Sequence, residues 1–397
     1  MRRTRVIAAV LCAGMLVPTA AVAAPALPAG QHAHARVVSA ERIGSMSRAE
    51  VAAYLTGYDL DPATARHGVD LYRVTYRTTD VDGTPTTATA LTVLPRTDRA
   101  KPTVAWLHGT RVYRGDTASA ADNLDRAAAV LFASAGHTTV APDYLGLGGG
   151  PGRHPYMLAR PTITATVDAL RASREVASRT GKRMDRRVLV SGFSQGGQAS
   201  MLVGRELQGS REFDLTGIAA IAGPHDIRGQ ELPAALDGRL GGISAVLYLG
   251  YAITTWHRTT PLYDSPSEAF RAPYDQVVES LFDSDHEEAD VVGALPPTPQ
   301  ELFTDGYLAE LANPDGALAE VLTANDDPCE WRPRVPVRLY AGTADRDVVF
   351  ANSESCQADL TARRTRDSQV VNVGDVDHQT SARKALPQVV AFFQRLE

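Results

Sequence analysis

The chain has no basic stripe, and its 40 lysines and arginines are outnumbered by 46 aspartates and glutamates. A net acidic surface repels phosphate backbones and gains nothing from counterion release, so nucleic acid is not an expected partner. No H-E-x-x-H zinc motif and no Walker loop occurs, and Gly146-Leu-Gly-Gly-Gly150 lacks the strand-to-helix setting of a dinucleotide fingerprint. Neither a metal nor an organic cofactor is therefore expected. Internal repeats are missing, and so is a calcium loop: Asp283-Ser-Asp-His-Glu-Glu288 offers oxygen ligands without the glycine turn or the spacing and reads as a solvated face. Cysteine is sparse, with three in 397 residues.

Long apolar runs are also lacking. Val6 to Val17, which follows Arg2, Arg3 and Arg5, stops well short of the ~20 residues that span a bilayer. With Ala21-Val22-Ala23 behind it, this stretch has the plan of a cleaved secretory signal over 1–23, and no integral membrane span is expected. Its removal takes away three arginines and no acid and moves the formal charge from −6 to −9. Residues 24–45, rich in Ala, Pro, Gly and His, read as a flexible lead-in.

What remains has the texture of an α/β fold. Ser47-Arg-Ala-Glu50 is a capping box opening a short helix. Val69 to Arg77 and Thr86 to Leu94 flank Asp82-Gly83-Thr84-Pro85 as the arms of an antiparallel hairpin. Six short apolar runs follow, at 104–107, 138–141, 188–190, 218–221, 337–340 and 370–373, alternating with helical patterns at 118–135, 161–180, 198–208, 353–364 and 382–396. Strands buried on both faces and separated by helices imply a mostly parallel sheet, here of eight strands, covered on both sides. The spacing breaks once, over 226–330, which is too long for a structureless loop and reads as an inserted, mainly helical cap after the sixth strand. Core segments 46–225 and 331–397 flank it. Within the insert, Ile243 to Trp256 is almost wholly apolar, consistent with a buried core helix or with a lid helix facing lipid or substrate.

The chemistry centres on Arg187-Val-Leu-Val-Ser-Gly-Phe-Ser-Gln-Gly-Gly197. An apolar strand leading into G-x-S-x-G reads as a nucleophile elbow, with Ser194 lifted clear of the sheet on a strained turn. Glycines at 192 and 196 leave room for the crossing strand and helix, and the Gln195 N–H points to where an oxyanion would form. A general base must come from a strand end. His378 is the only histidine beyond His286, and it follows the last apolar run in Val373-Gly-Asp-Val-Asp-His378. The acid that orients it is expected at Asp345, in the first turn after Gly342; Asp347, read as capping or facing solvent, and Asp226, after the sixth strand, are the other candidates. Trp106-Leu-His108-Gly109-Thr110 would supply a second oxyanion donor, the Thr110 N–H, with His108 structural. His154 and His225 read as satisfied or surface histidines. The order Ser, Asp, His matches one of the three known serine-triad orders.

From about Leu71 onward these motifs resemble the α/β-hydrolase superfamily. Ala141-Pro-Asp-Tyr-Leu-Gly-Leu-Gly148, His154-Pro155-Tyr156 and Ala222-Gly-Pro-His-Asp-Ile227 are similar to segments of secreted bacterial lipase- and esterase-like proteins. Val349-Phe350 departs from the Val-Pro that commonly follows the acid loop in that group. The resemblance implies ester hydrolysis beneath a helical cap, on a small-molecule or lipid ester. A serine peptidase or acyltransferase could use the same triad, and the fold could serve as a non-catalytic binding module. Cys329 and Cys356 bracket the Asp345 strand and loop, an even pair that in a secreted protein invites a disulfide, the alternative being two buried thiols.

Overall fold

Alternation along the strands sorts the core into two layers. Val104 and Trp106 join one buried apolar cluster while Ala105 and Leu107 join another, as the two-residue period of a strand requires. The computed structural model describes residues 36–397, a single compact unit; the expected signal segment 1–23 lies outside the described residues. Nine strands form one sheet in the order β1-β2-β3-β5-β4-β6-β7-β8-β9: β1 Val37–Met46, β2 Val69–Thr79, β3 Pro85–Pro95, β4 Thr103–Leu107, β5 Thr139–Pro142, β6 Arg187–Phe193, β7 Asp214–Ile221, β8 Val337–Ala341 and β9 Ser368–Asn372. Pairings β1·β2, β2·β3 and β3·β5 are antiparallel, and the others are parallel.

The expected hairpin and all six later strands are present, but the count of eight is one short. The additional strand, β1, starts inside the stretch read as a lead-in. Its residues alternate too weakly to signal a strand because it is an edge, mostly exposed and held by its ladder to β2 rather than by burial of its side chains.

Helices α1 Arg48–Gly57, α2 Leu124–Ser134 and α7 His378–Gln394 contribute to the cluster on one face. Helices α3 Ala159–Arg179 and α4 Gln195–Gln208 contribute to the other, with α6 Ala351–Ala362 beside them under β7 and β8. The capping box forms as the sequence indicates, Ser47 Oγ accepting from the Glu50 N–H and the Glu50 carboxylate from the Ser47 N–H. α2 starts at Leu124 rather than near Ala118, since Asn123 caps it by accepting from the Arg126 N–H.

Between Ile221 and Val337 the chain adds helices and no strand to the sheet. Its longest helix, α5 Gly242–His257, is buried over most of Ala245–Trp256 and exposed at Gly242 and Ile243. It belongs to an apolar cluster that also takes in Val112, Tyr156, Met157 and Val349, residues from loops above the sheet. This helix is thus both the insert's own core and a wall over the strand ends. Two ties bind its N-terminal end to the loop after β8: the Gly241 N–H donates to the Arg346 carbonyl at 2.8 Å, and the Ser244 hydroxyl donates to the Asp347 carboxylate.

Cys329 and Cys356 are joined in a buried disulfide with Cα atoms 5.3 Å apart. The closed loop carries β8 and Asp345 to the start of the next helix. In the chain-entropy model such a loop stabilises by roughly 3–4 kcal/mol. A Cys329→Ser/Cys356→Ser variant should lower the unfolding free energy by about that amount, measured by denaturant titration as a fall in the midpoint with a somewhat steeper slope, since the uncrosslinked denatured chain expands.

Candidate active site

Ser194 sits at φ 57°, ψ −121°, between the end of β6 and the first residue of α4. An L-residue adopts that conformation only when its surroundings force it. Here the Ser194 N–H donates to the Ile221 carbonyl of β7 at 2.9 Å, and its own carbonyl accepts from the Gly197 N–H at 2.7 Å. The neighbouring glycines are needed for packing. A Cβ on Gly196 would lie 1.9 Å from the Leu107 carbonyl oxygen of β4, and one on Gly192 would lie 2.4 Å from the Gly196 oxygen. The sequence reading of this turn therefore corresponds to a physical contact between β4, β6 and α4 made through bare backbone.

The β8 loop brings Asp345 to His378, with Asp345 Oδ2 2.6 Å from His378 Nδ1. Both side chains are buried. The other oxygen, Asp345 Oδ1, accepts from the N–H groups of Asp347 and Val348, both at 2.9 Å. With the carboxylate as acceptor, His378 carries its proton on Nδ1 and leaves Nε2 free to accept. His378 opens α7 directly after its N-cap Asp377, whose carboxylate accepts from the Thr380 N–H. The ring of Phe193, the residue before Ser194, packs against the imidazole at a centroid distance of 4.4 Å.

Gly109 runs close beneath the serine, so that a Cβ on it would come within 3.3 Å of Ser194 Cβ. Thr110 follows, and its hydroxyl is 2.9 Å from the Tyr156 hydroxyl. Among the described residues, neither the Thr110 N–H nor the Gln195 N–H has a hydrogen-bond partner. Unpaired backbone donors beside a strained serine are the parts an oxyanion hole needs. The Gln195 side chain is anchored through Nε2, 3.2 Å from His154 Nε2, while His154 Nδ1 lies 3.0 Å from the Leu145 carbonyl. His154 thus donates through Nδ1 and accepts through Nε2, and burial lowers its pKa to about 3, so it stays neutral.

A cleft opens above Ser194. Its walls are chiefly apolar side chains of the insert, among them Leu232, Leu249, Ile253, Trp256, Leu311 and Leu318. The polar groups are Thr110, Ser194, Gln195, Tyr156, Tyr248, Glu231 and Asp347.

Three expectations need correction. Asp347 caps no helix: half-buried, it accepts from Ser244 in the cap and lines the cleft. Asp226 does not approach His378; its carboxylate accepts from the Gly229 N–H at 2.7 Å and the Ser355 hydroxyl at 2.6 Å. His225 is neither satisfied nor at the surface, since both ring nitrogens are buried without partners and burial lowers its pKa to about 3. Glu231, Tyr156 and the partner role of His154 went unread in the sequence because the folded insert and the loop before α3 create their neighbours; only the His-Pro-Tyr at 154–156 carried a signal.

A mostly parallel sheet with a serine elbow on its strand ends and a Ser-Asp-His order defines an α/β-hydrolase. Comparison with known proteins narrows this: residues 117–266 match the family model of secretory lipases. Among solved structures, a Legionella pneumophila protein assigned as a hydrolase superposes with a TM-score of 0.85 at 24% identity, covering 91% of this chain and 98% of that one. The rice cell wall degrading esterase LipA of Xanthomonas oryzae, in a ligand-bound form, gives 0.80 at 26% identity, covering 90% and 97%. Candida antarctica lipase A in its closed state shares the fold, at 0.66 and 14% identity over 91% and 81%. No curated protein sequence matches the chain.

Gly196→Ala should prevent the elbow from forming, because a backbone carbonyl occupies the position its Cβ would need. A loss of about 3 kcal/mol or more, or failure to accumulate as soluble protein, is expected. Gly57→Ala, where nothing lies within 4 Å of the added carbon, is the control and should melt within a few degrees of the parent.

Proposed function

We propose that the protein is a secreted serine hydrolase that cleaves carboxylic esters through an acyl-enzyme. The observation that carries this reading is the buried Asp345–His378 pair at 2.6 Å, its imidazole packed on Phe193, the residue before a serine held at φ 57°. In this reading Ser194 Oγ attacks the ester carbonyl while His378 Nε2 takes the hydroxyl proton, and the carbonyl oxygen becomes an oxyanion. The Thr110 and Gln195 N–H groups receive that charge without reorganising, because no other acceptor competes for them. His378 then returns the proton to the leaving alkoxide as the C–O bond breaks, giving a free alcohol and an acyl group on Ser194. Water, deprotonated by the same imidazole, attacks the acyl carbonyl, and the returning proton regenerates the serine. Asp345 holds the Nδ1–H tautomer throughout and offsets the positive charge His378 acquires.

The chiefly apolar cleft supports an ester with a hydrocarbon portion as substrate. Burying each CH₂ of such a chain there is worth about 0.8 kcal/mol. The described helices include none long and apolar enough to cross a membrane. Export fits the N-terminal signal pattern, the disulfide and the match to secretory lipases.

The test is hydrolysis of p-nitrophenyl esters from acetate to palmitate by the mature protein and by Ser194→Ala. Parent activity should rise with chain length until the cleft is filled, and the variant should be slower by at least roughly 10⁴-fold. No cleavage of any ester by the parent would sink the ester-hydrolase reading. Asp345→Asn should keep its fold, read by circular dichroism, yet lose roughly 10³- to 10⁴-fold in kcat, because the amide favours the wrong imidazole tautomer.

A further inference from the structure

Glu231 is an acid in the wall of the cleft, nearly buried, whose carboxyl is used by the protein on one side only. It ends a short π-helical turn, Ile227–Glu231, in which the Leu232 N–H reaches back to the Ile227 carbonyl. A wide turn of this kind displaces the side chains that follow it relative to a regular helix and is frequent at functional sites. The residue is nearly buried and lines the cleft together with Ser194, Thr110 and Leu232. Its Oε1 accepts from the Val349 N–H at 3.1 Å and from the Asn352 side-chain amide. Oε2 takes part in no hydrogen bond among the described residues, and it is not among their sealed-off polar atoms.

A purely structural role in holding the loop after Asp345 needs only one acceptor oxygen, and Oε1 supplies it. Oε2 is left over, on a residue that lines the chiefly apolar cleft, and is not sealed off from a ligand there. We propose that Glu231 is a specificity-determining residue: Oε2–H of its carboxyl donates a hydrogen bond to a second oxygen on the substrate, so that the site favours esters whose chain carries a further acceptor oxygen, such as a keto group or another ester. This rests on the ester-hydrolase reading above and adds a substrate class to it.

Donation requires the acid to be protonated, and its surroundings provide for that. Burial is the largest effect and pushes its pKa up to about 8, with the nearby Asp345 carboxylate adding to the rise. The Val349 N–H, the Asn352 amide and Arg239 act in the opposite direction. The other titratable groups lining the cleft are Tyr156 and Tyr248, whose phenols burial holds neutral, and Asp347. Because both protein donors sit on Oε1, the proton resides on Oε2. Below about pH 8 the group is a donor, and above it becomes a carboxylate that repels an acceptor oxygen.

The test compares kcat/KM for methyl octanoate with its oxo-octanoate positional isomers of equal chain length, followed by chromatography of the released acids. The wild type should prefer at least one isomer by roughly tenfold near pH 6.5. That ratio should decline towards one as pH rises through about 8. Glu231→Gln, which keeps an acceptor for Val349 and turns an N–H into the cleft, should retain the preference and make it independent of pH. Glu231→Leu should bring the ratio to about one whatever it does to overall rate, a change that loosening the acid loop alone would not produce. A wild-type ratio of one for every isomer, with methyl octanoate still hydrolysed, would overturn the proposal alone, as would a ratio unchanged in Glu231→Leu. Inactivity of the wild type on every ester would overturn the hydrolase reading and this proposal together.

Discussion

The contact on which the site depends is backbone against backbone. Gly196 of α4 lies so close to the Leu107 carbonyl of β4 that no side-chain carbon fits between them. That approach pins the start of α4 to the strand ends, and the Ser194 N–H bond to Ile221 fixes the turn from the β7 side. Held from both directions, the serine has no relaxed conformation to fall back to. The strain at φ 57° is balanced by the ordered sheet beneath it, and the hydroxyl and the Gln195 N–H end up facing the cleft.

Asp345 and His378 come from parts of the chain more than 150 residues beyond the serine, and their alignment has a different origin. β8 and β9 extend the same parallel ladder, so the loops that leave them emerge on the edge where β6 delivers Ser194. The acid loop is then held from three sides: by its own Asp347 and Val348 N–H groups on Asp345, by the disulfide that closes the chain around it, and by the insert through Ser244, Gly241 and Glu231. The helical insert is therefore more than a cover. Its hydrogen bonds reach the residues next to Asp345, coupling the shape of the cleft to the position of the acid.

Much of this was legible in the residues because the signals were local. A buried strand, a G-x-S-x-G turn and a capping box are each specified within about ten positions, by alternation, by steric need for glycine and by a side chain bonding its own backbone. The reading failed where an element owed its state to a distant neighbour. β1 is a strand only because β2 offers a ladder edge, and Asp347 lies in the cleft wall only because Ser244, about a hundred residues earlier, bonds it there. His225 has a sequence setting like that of any loop histidine, and its burial without partners is visible only in the fold.

By itself the sequence determined the order of strands and helices, the strained serine turn and the supply of a histidine and an aspartate on later loops, since each follows from short-range sterics and periodicity. The place of Asp345 in the first turn after Gly342 already favoured it in the sequence, but only packing gave the three chemically alike aspartates their partners, His378 for Asp345, Ser244 for Asp347, and Gly229 and Ser355 for Asp226. It also decided that Glu231 and Tyr156 share a wall with Ser194, a proximity set by how the insert docks over the strand ends. Local rules act over a few residues of chain, whereas a cleft is made of residues whose only connection is through space.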